Sequence, residues 1–293
     1  MDFDLILTAR DRKIETLRFI TSLGEQQGAL QVRLLFVDQG LRLRTEDIDS
    51  LLKKEGISLQ VQGILPCSLS VARNKAIKIG LSSRIVGFPD DDCWYGPNVL
   101  ESILSIFDAN PAIQCVCTNV FDPDRSVSYG GRPVGTRCRV NFSNIFSLPI
   151  SVGIFVRREA FEAVGPWFDE SLGAGTAFGS GEETELIGRL LESGAEILYV
   201  GDISVYHPVP EYDQNDARKF YSYGLGYGYL ASTFIKNGEY AVITHLSSVV
   251  VRSLGGVIFF LFNNIKRAVY WGRLIGVLRG SLLALSGVKG TQK

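Results

Sequence analysis

Ile85-Val86-Gly87-Phe88-Pro89-Asp90-Asp91-Asp92-Cys93-Trp94-Tyr95 is the stretch that decides the fold of this chain. Ile85 to Phe88 is a short apolar run bounded by Gly and Pro, the pattern of a buried central parallel strand. Three carboxylates stand at its end. On an extended backbone Asp90 and Asp92 point to one side and Asp91 to the other. No Lys or Arg lies between Arg84 and Pro97 to relieve their repulsion, so a bound cation is the natural partner. Oxygen ligands suit Mg2+ or Mn2+, and Mg2+ is commonly held by one or two carboxylates together with substrate phosphates. The plainer reading is an Asp-rich turn leading into a helix that Pro97 starts.

Upstream, Leu5–Leu7 and Val32–Val37 read as strands around a helix carrying Ile14, Leu17, Ile20 and Leu23, a βαβ beginning. Open α/β sheets bind ligands beyond the carboxyl ends of their strands. Thr8 to Arg12 and Asp38 are therefore expected to face the same crevice as the Asp triplet, although a lone Asp after a strand is also a common turn former. A third strand over Leu59–Leu65 precedes a helix over Leu69–Leu81 that opens with Ser70-Val71-Ala72-Arg73-Asn74. An Arg in the first turns opposes the helix dipole, which hints at a carboxylate or phosphate partner; the alternative is a solvated side chain.

Downstream, 121–148 is rich in Gly, Ser and Asn and carries Arg125, Arg132, Arg137 and Arg139. It reads as a long loop, either one that closes over a diphosphate or a solvated excursion. A Gly-rich segment then leads into Glu182-Glu183-Thr184-Glu185, the start of a helix. Acidic residues there are ordinary helix stabilisers, or one of them is a general base aimed into the crevice. His207, beside Pro208 at a strand end, is placed to reach a metal or phosphate.

Composition excludes other classes. The 293 residues carry a net charge of −1, which argues against nucleic-acid binding. The five cysteines are scattered without paired spacing, so reduced thiols in the cytoplasm are expected, with Cys115 and Cys117 as core residues on one strand face. Asp2 and Asp4 are not what a signal peptide carries. Charge is uneven, however: no acidic residue follows Glu239, while Arg252, Lys266, Arg267, Arg273 and Arg279 all do.

The succession Ser70-Val71-Ala72-Arg73-Asn74, Phe88-Pro89-Asp90-Asp91-Asp92-Cys93-Trp94-Tyr95, Ser151-Val152-Gly153, Gly179-Ser180-Gly181-Glu182-Glu183-Thr184-Glu185-Leu186 and Val205-Tyr206-His207-Pro208 resembles the family 2 glycosyltransferases of GT-A fold. The match runs from about Leu5 to Tyr229. The resemblance implies an α/β fold, a Rossmann-like mixed sheet flanked by helices. It also implies a nucleotide-sugar donor, Mn2+ or Mg2+, and inversion at the anomeric carbon. By it, Thr8, Arg10 and Asp38 line the base and ribose pocket, with Arg73 close to the base. Asp90 meets ribose or metal, Asp91 belongs to the donor site, and Asp92 holds the metal, with His207 as a further ligand. Glu183 takes the place usually held by Asp in a Gly-Glu-Asp motif, and the base is Glu183 or its neighbour Glu182. A base opposite a cation suffices for inverting transfer, with no covalent nucleophile. Two rival classes are a sugar nucleotidyltransferase and a non-catalytic membrane-bound scaffold, and incubation with nucleotide sugars separates them.

Residues 1–236 are thus expected to form the catalytic domain and 237–293 a basic, amphipathic helical tail. The longest uncharged run in the tail, Ser253 to Ile265, is short of the roughly 20 residues a spanning helix needs. On one continuous helical wheel Arg252, Gly256, Asn263, Lys266, Tyr270 and Arg273 share one broad polar face. The tail is expected to lie on an anionic membrane surface, at the inner face of the cell membrane, which favours a lipid-linked glycan acceptor. The competing reading is a helical hairpin packed on the catalytic domain or a partner.

Overall fold

The computed structural model of the chain describes residues 1–40, 43, 45–52, 54–209 and 216–287. The first half runs β1 (Phe3–Ala9), α1 (Lys13–Gly24), β2 (Val32–Asp38), α2 (Thr45–Leu51), β3 (Ile57–Gly63), α3 (Leu69–Ile77), β4 (Ile85–Gly87), β5 (Trp94–Tyr95), α4 (Val99–Ala109) and β6 (Ile113–Asp122). The second half runs β7 (Val127–Ser128), β8 (Arg137–Arg139), β9 (Ile154–Arg157), α5 (Arg158–Ala163), α6 (Glu182–Glu192), β10 (Glu196–Tyr206), α7 (Asp216–Lys236), α8 (Val242–Phe259) and α9 (Asn264–Ser286). They form one sheet in the order β3-β2-β1-β4-β9-β6-β10-β5, with β7 on β6 and β8 on β10.

The first four strands of that order are parallel, as the alternation of strand and helix requires. β9 then inserts antiparallel between β4 and β6, so the sheet is mixed, as expected. Side-chain alternation along β1 sends Phe3, Leu5 and Leu7 to the core shared with α1 and α4, and Ile6 to the core shared with α3 and α6. Both faces are covered, which is why the central strands read as unbroken apolar runs. Cys115 and Cys117 are fully buried in the α3 and α6 core, and all five cysteines are free thiols.

β10 continues past Gly201 through a bulge between Val200 and Ser204. There the Gly201 amide donates to Thr136 O at 2.7 Å, and a Cβ at Gly201 would lie 2.4 Å from Pro133 O. Residues 121–148 are built into the sheet through β7 and β8 instead of forming an open loop. Arg132 donates to the carbonyls of Tyr129, Leu148 and Pro149 at 2.7–3.1 Å, while Arg137 and Arg139 pair with Asp202 and Glu196. In this structure these cations are engaged with backbone carbonyls and with β10.

The tail is a hairpin, the competing reading of the sequence. α8 ends at Phe259 and α9 begins at Asn264, so one continuous helical wheel does not apply. Both helices are long and apolar enough to cross a membrane by length and composition, which the count of uncharged residues missed. α9 packs on α7 through glycines. A Cβ at Gly224 or Gly228 would lie 2.5 or 2.1 Å from the carbonyls of Arg273 or Val277. Cβ atoms at Gly272, Gly276 and Gly280 would lie 2.1–2.4 Å from α7 carbonyls. Small residues at four-residue spacing let helix backbones meet this closely. The Gly224-Leu225-Gly226-Tyr227-Gly228 run, which lacks the spacing of a dinucleotide site, is therefore a packing face.

Adding a methyl group at this face forces backbone apart. Gly228→Ala and Gly276→Ala are each expected to cost about 1–3 kcal/mol in urea unfolding. Gly255→Ala on α8, where a Cβ meets nothing within 4 Å, is expected to be neutral or stabilising by up to ~1 kcal/mol. Equal stability of all three variants would contradict this packing.

Candidate active site

Thr8 and Asp90 form a parallel bridge that extends β1 and β4 to the carboxyl edge of the sheet. The chain then turns, with Cys93 N donating to Asp90 O at 3.3 Å, so the extended alternation expected for the triplet does not hold. Asp91 and Asp92 both face one cation, the Arg12 guanidinium, at 3.3 Å for Asp91. Arg18 from α1 adds a bond of 2.7 Å to the Asp92 carbonyl and stacks on the Trp94 ring at 3.8 Å. The relief absent from the local sequence thus arrives from the loop and helix after β1. Burial still outweighs Arg12 at Asp91 and pushes its carboxyl up to about 6.

His207 completes this side. Its backbone N donates to Phe121 O at 3.0 Å, and Val209 N donates to Asp122 Oδ2 at 2.7 Å, so the end of β6 fixes the segment. The ring places Nδ1 2.7 Å from Pro208 O and Nε2 3.0 Å from Asp92 Oδ1. Both neighbours are acceptors, an arrangement that favours the protonated imidazole when no cation is bound. Burial opposes that charge, but the Asp92 bond and charge prevail and raise its pKa. Burial likewise works against ionised Asp92, and the His207 bond and charge, with Arg12, bring its pKa below the usual carboxylate value.

Asp92 and His207 also fit a divalent cation. An Nδ1–H held by a backbone carbonyl leaves Nε2 as the ligating atom, a common arrangement for a metal-bound His. Among the described residues no cluster of three or more His, Cys, Asp or Glu forms a complete metal cage. Two protein donors suit an ion that takes its remaining ligands from phosphates and water.

Arg73 organises the other side. Its side chain is fully buried, so it lies beneath the crevice surface, and the closeness to the base that the resemblance implies would not be direct contact. Nη2 donates to Asp90 Oδ1 at 2.8 Å and to Ser151 Oγ at 2.6 Å, and Nη1 meets Glu182 Oε1 at 3.4 Å. The rest of the Ser70 to Asn74 motif clamps the segment before α6. Ser70 Oγ donates to Leu172 O at 2.6 Å, and Asn74 exchanges bonds of 2.9 and 3.0 Å with the Phe168 backbone.

That segment ends in Gly179 and Gly181, both at positive φ, against α7. A Cβ at Gly179 would lie 2.0 Å from Ser222 Oγ, and one at Gly226 would lie 2.5 Å from Ser180 O. Close contact with α7 thus aims the start of α6, where the three glutamates part. Glu182 is buried on Arg73, and burial with the neighbouring Glu183 charge pushes its pKa up to about 8 despite that cation. Glu185 is locked in a two-pronged pair with Arg189, at 2.7 and 2.8 Å. Glu183 is partly exposed and makes no hydrogen bond or ion pair among the described residues, with Arg132 and Tyr223 within range of its charge.

The remaining predicted donor residues are less gathered. Thr8 is buried at the bridge, and Arg10 is exposed, paired with Asp11 at 3.2 Å, its amide donating to Asp91 Oδ2 at 3.3 Å. Asp38 accepts from the amides of Gly40 and Leu43 at 2.9 and 3.1 Å, the turn-forming role. Sequence reasoning missed Arg12 and Arg18 and gave Ser151 no role. Arg12 lay in the segment expected to face the crevice and Ser151 in the Ser151-Val152-Gly153 motif; nothing in the sequence marked Arg18.

A mixed sheet with β9 reversed between β4 and β6, carboxylates beyond β4 and an acidic helix start facing them defines the GT-A class. The family model described as "Glycosyl transferase family 2" matches residues 4–165, and the chain belongs to that family. No curated protein matches. The fold is similar to solved structures of S. aureus TarS. Residues 1–349 of that protein share 14% identity at a TM-score of 0.59, covering 98% of this chain and 92% of that one. Their complex with UDP-GlcNAc gives 13% and 0.58 at the same coverage. In a longer TarS chain, at 17% identity and a TM-score of 0.58, the match spans only 38% of its length.

Glu182 yields a pH test. Its folded pKa, about 8, stands above the ordinary 4.5. Stability at this site is complete below about 4.5 and is lost as pH rises through 8, because the unfolded chain releases the proton first. Glu182→Gln is expected to remove a slope of up to about 1.4 kcal/mol per pH unit, read from urea melts between those limits. An unchanged slope would contradict the assignment. Arg73→Leu leaves Asp90 uncompensated, and Glu182 as well above the pH at which it ionises, and is expected to cost about 3–5 kcal/mol by the same melts.

Proposed function

We propose that this glycosyltransferase moves a sugar from a UDP-linked donor to a hydroxyl of a glycan acceptor, with inversion and with Glu183 as the base. The observation that carries this is the division among the α6 glutamates: Glu182 and Glu185 are held by Arg73 and Arg189, while Glu183, partly exposed, is the one of the three with no hydrogen bond or ion pair among the described residues. A base must be open to the acceptor hydroxyl and ionised, which the start of a helix favours. Glu183 takes the acceptor proton as the oxygen bonds to the anomeric carbon and the bond to the diphosphate breaks. The electron pair leaves with the nucleoside diphosphate. The UDP and UDP-GlcNAc complexes of TarS support a uridine donor.

Asp92 and His207 would hold Mn2+ or Mg2+, which when bound would neutralise charge on the departing diphosphate. Asp90 and Asp91, with Thr8, Arg10 and Asp38 along the same edge, would orient the donor. Arg12 holds the Asp91 and Asp92 side of that edge in place. The division into a catalytic domain, 1–236, and a tail, 237–293, belongs to this reading. So does attachment of the basic hairpin to an anionic membrane on the cytoplasmic side, with a lipid-linked acceptor. Attachment is read as peripheral because α9 is bound along α7, and α7 in turn touches the segment before α6.

Glu183→Gln is expected to lower transfer by about 10²–10⁴-fold while donor affinity stays within twofold, measured by nucleoside diphosphate release and calorimetry. Glu182→Gln should retain most turnover; if it alone abolishes transfer, the bases are reversed. Asp92→Asn is expected to lose the Mn2+ dependence of donor binding with the fold intact by circular dichroism. Metal-dependent binding at the ordinary level would remove Asp92 from the metal site.

A further inference from the structure

The hairpin between α8 and α9 encloses an open cavity of about 400 Å³, lined by Arg252 and Arg273 with Gly255, Phe259, Phe260 and Tyr270. It is separate from the carboxylate edge. Arg252 and Arg273, from different helices, line it together with aromatic carbon. Their charges are felt locally, since after burial it is Arg252 and Arg273 that hold His245 below the ordinary imidazole value. The cavity is a built one. Phe260 and Tyr270 stack at 5.6 Å and 13°, Gly256 lies against the Tyr270 ring, and Arg267 closes the turn through Leu261 O at 2.9 Å. Next to its lining residues in the chain, Ile258, Leu261 and Phe262 are exposed apolar side chains, with Phe262 98% exposed at the turn.

Paired arginines recognise phosphate oxygens through fixed forks of donors, and aromatic walls exclude a free hydrated ion in favour of an amphipathic one. We infer that this cavity binds the phosphate of a membrane lipid, with the lipid chain lying along the apolar rim. The inference rests on the lipid-linked acceptor reading and names the part of the molecule that would take that acceptor's phosphate. The position is suitable: a Cβ at Gly224 would lie 2.5 Å from Arg273 O, and the neighbouring Tyr223 feels the charges of Glu182 and Glu183. One helix, α7, thus separates the arginines from the base. A phosphate held there leaves its attached glycan to reach across α7 to the crevice.

The test uses the full chain and vesicles of phosphatidylcholine with either a long-chain isoprenyl phosphate or oleate, matched in surface potential. Wild type is expected to float with the phosphate vesicles at least tenfold more tightly. Gly255→Leu fills the cavity from a position with open space around it, and Arg252→Gln removes one fork. Both are expected to lose the preference while their melting temperatures and nucleoside diphosphate release stay at wild-type level. Equal binding to the two vesicle types, or a preference untouched by Gly255→Leu, overturns the inference. Competition by inorganic phosphate as strong as by the lipid phosphate overturns the lipid assignment. If wild type keeps the preference but releases no nucleoside diphosphate from any sugar donor, the site stands and the catalytic reading falls.

Discussion

A guanidinium with no access to water must be surrounded by acceptors, and the site is arranged around that constraint at Arg73. Desolvating a charge costs several kcal/mol unless it is paired. Arg73 meets it with Asp90 after β4, Ser151 before β9 and Glu182 at the start of α6. Those three elements are distant in sequence, and the one buried cation requires them to converge. Its Nε is buried without a hydrogen-bond partner among the described residues, so the environment is not fully satisfied and the geometry is strict. The two halves of the crevice, a donor side and a base side, are thereby set at a fixed separation.

Close backbone contact does the complementary work from behind. α7 presents Gly226 to the segment before α6, and Gly224 and Gly228 to α9. The same helix thus aims the glutamates and carries the hairpin, linking any load on the hairpin to the start of α6. Function divides by exposure. Glu182 is part of the scaffold because it is buried on a cation, and Glu183, one residue on, is chemically available because it is not.

The sequence made the parallel half of the sheet legible, because strands covered on both faces are apolar throughout and alternate with helical stripes. The Asp triplet, the α6 glutamates and His207 were legible as one edge because strand ends share an edge. Partners supplied from far along the chain were not. Nothing around Asp90 to Asp92 shows that Arg12 and Arg18 reach them, and nothing in Ser70 to Asn74 shows that Arg73 is buried, since helix position alone is compatible with solvation. The hairpin was misread as a continuous wheel because the turn at 260–263 is itself apolar up to Asn263. Glycine packing was invisible for a simple reason: a glycine that serves a turn and one that serves a helix contact look the same in sequence.

The account turns on which carboxylate faces the anomeric carbon. A crystal structure of the full chain with Mn2+ and a non-transferable UDP-sugar analogue measures this directly. The account predicts the diphosphate beside Asp92 and His207, the Glu183 carboxylate open toward the anomeric carbon, and Glu182 still on Arg73. A donor seated away from the Asp90 to Asp92 edge, or an anomeric carbon facing Glu182 with Arg73 released, would contradict it.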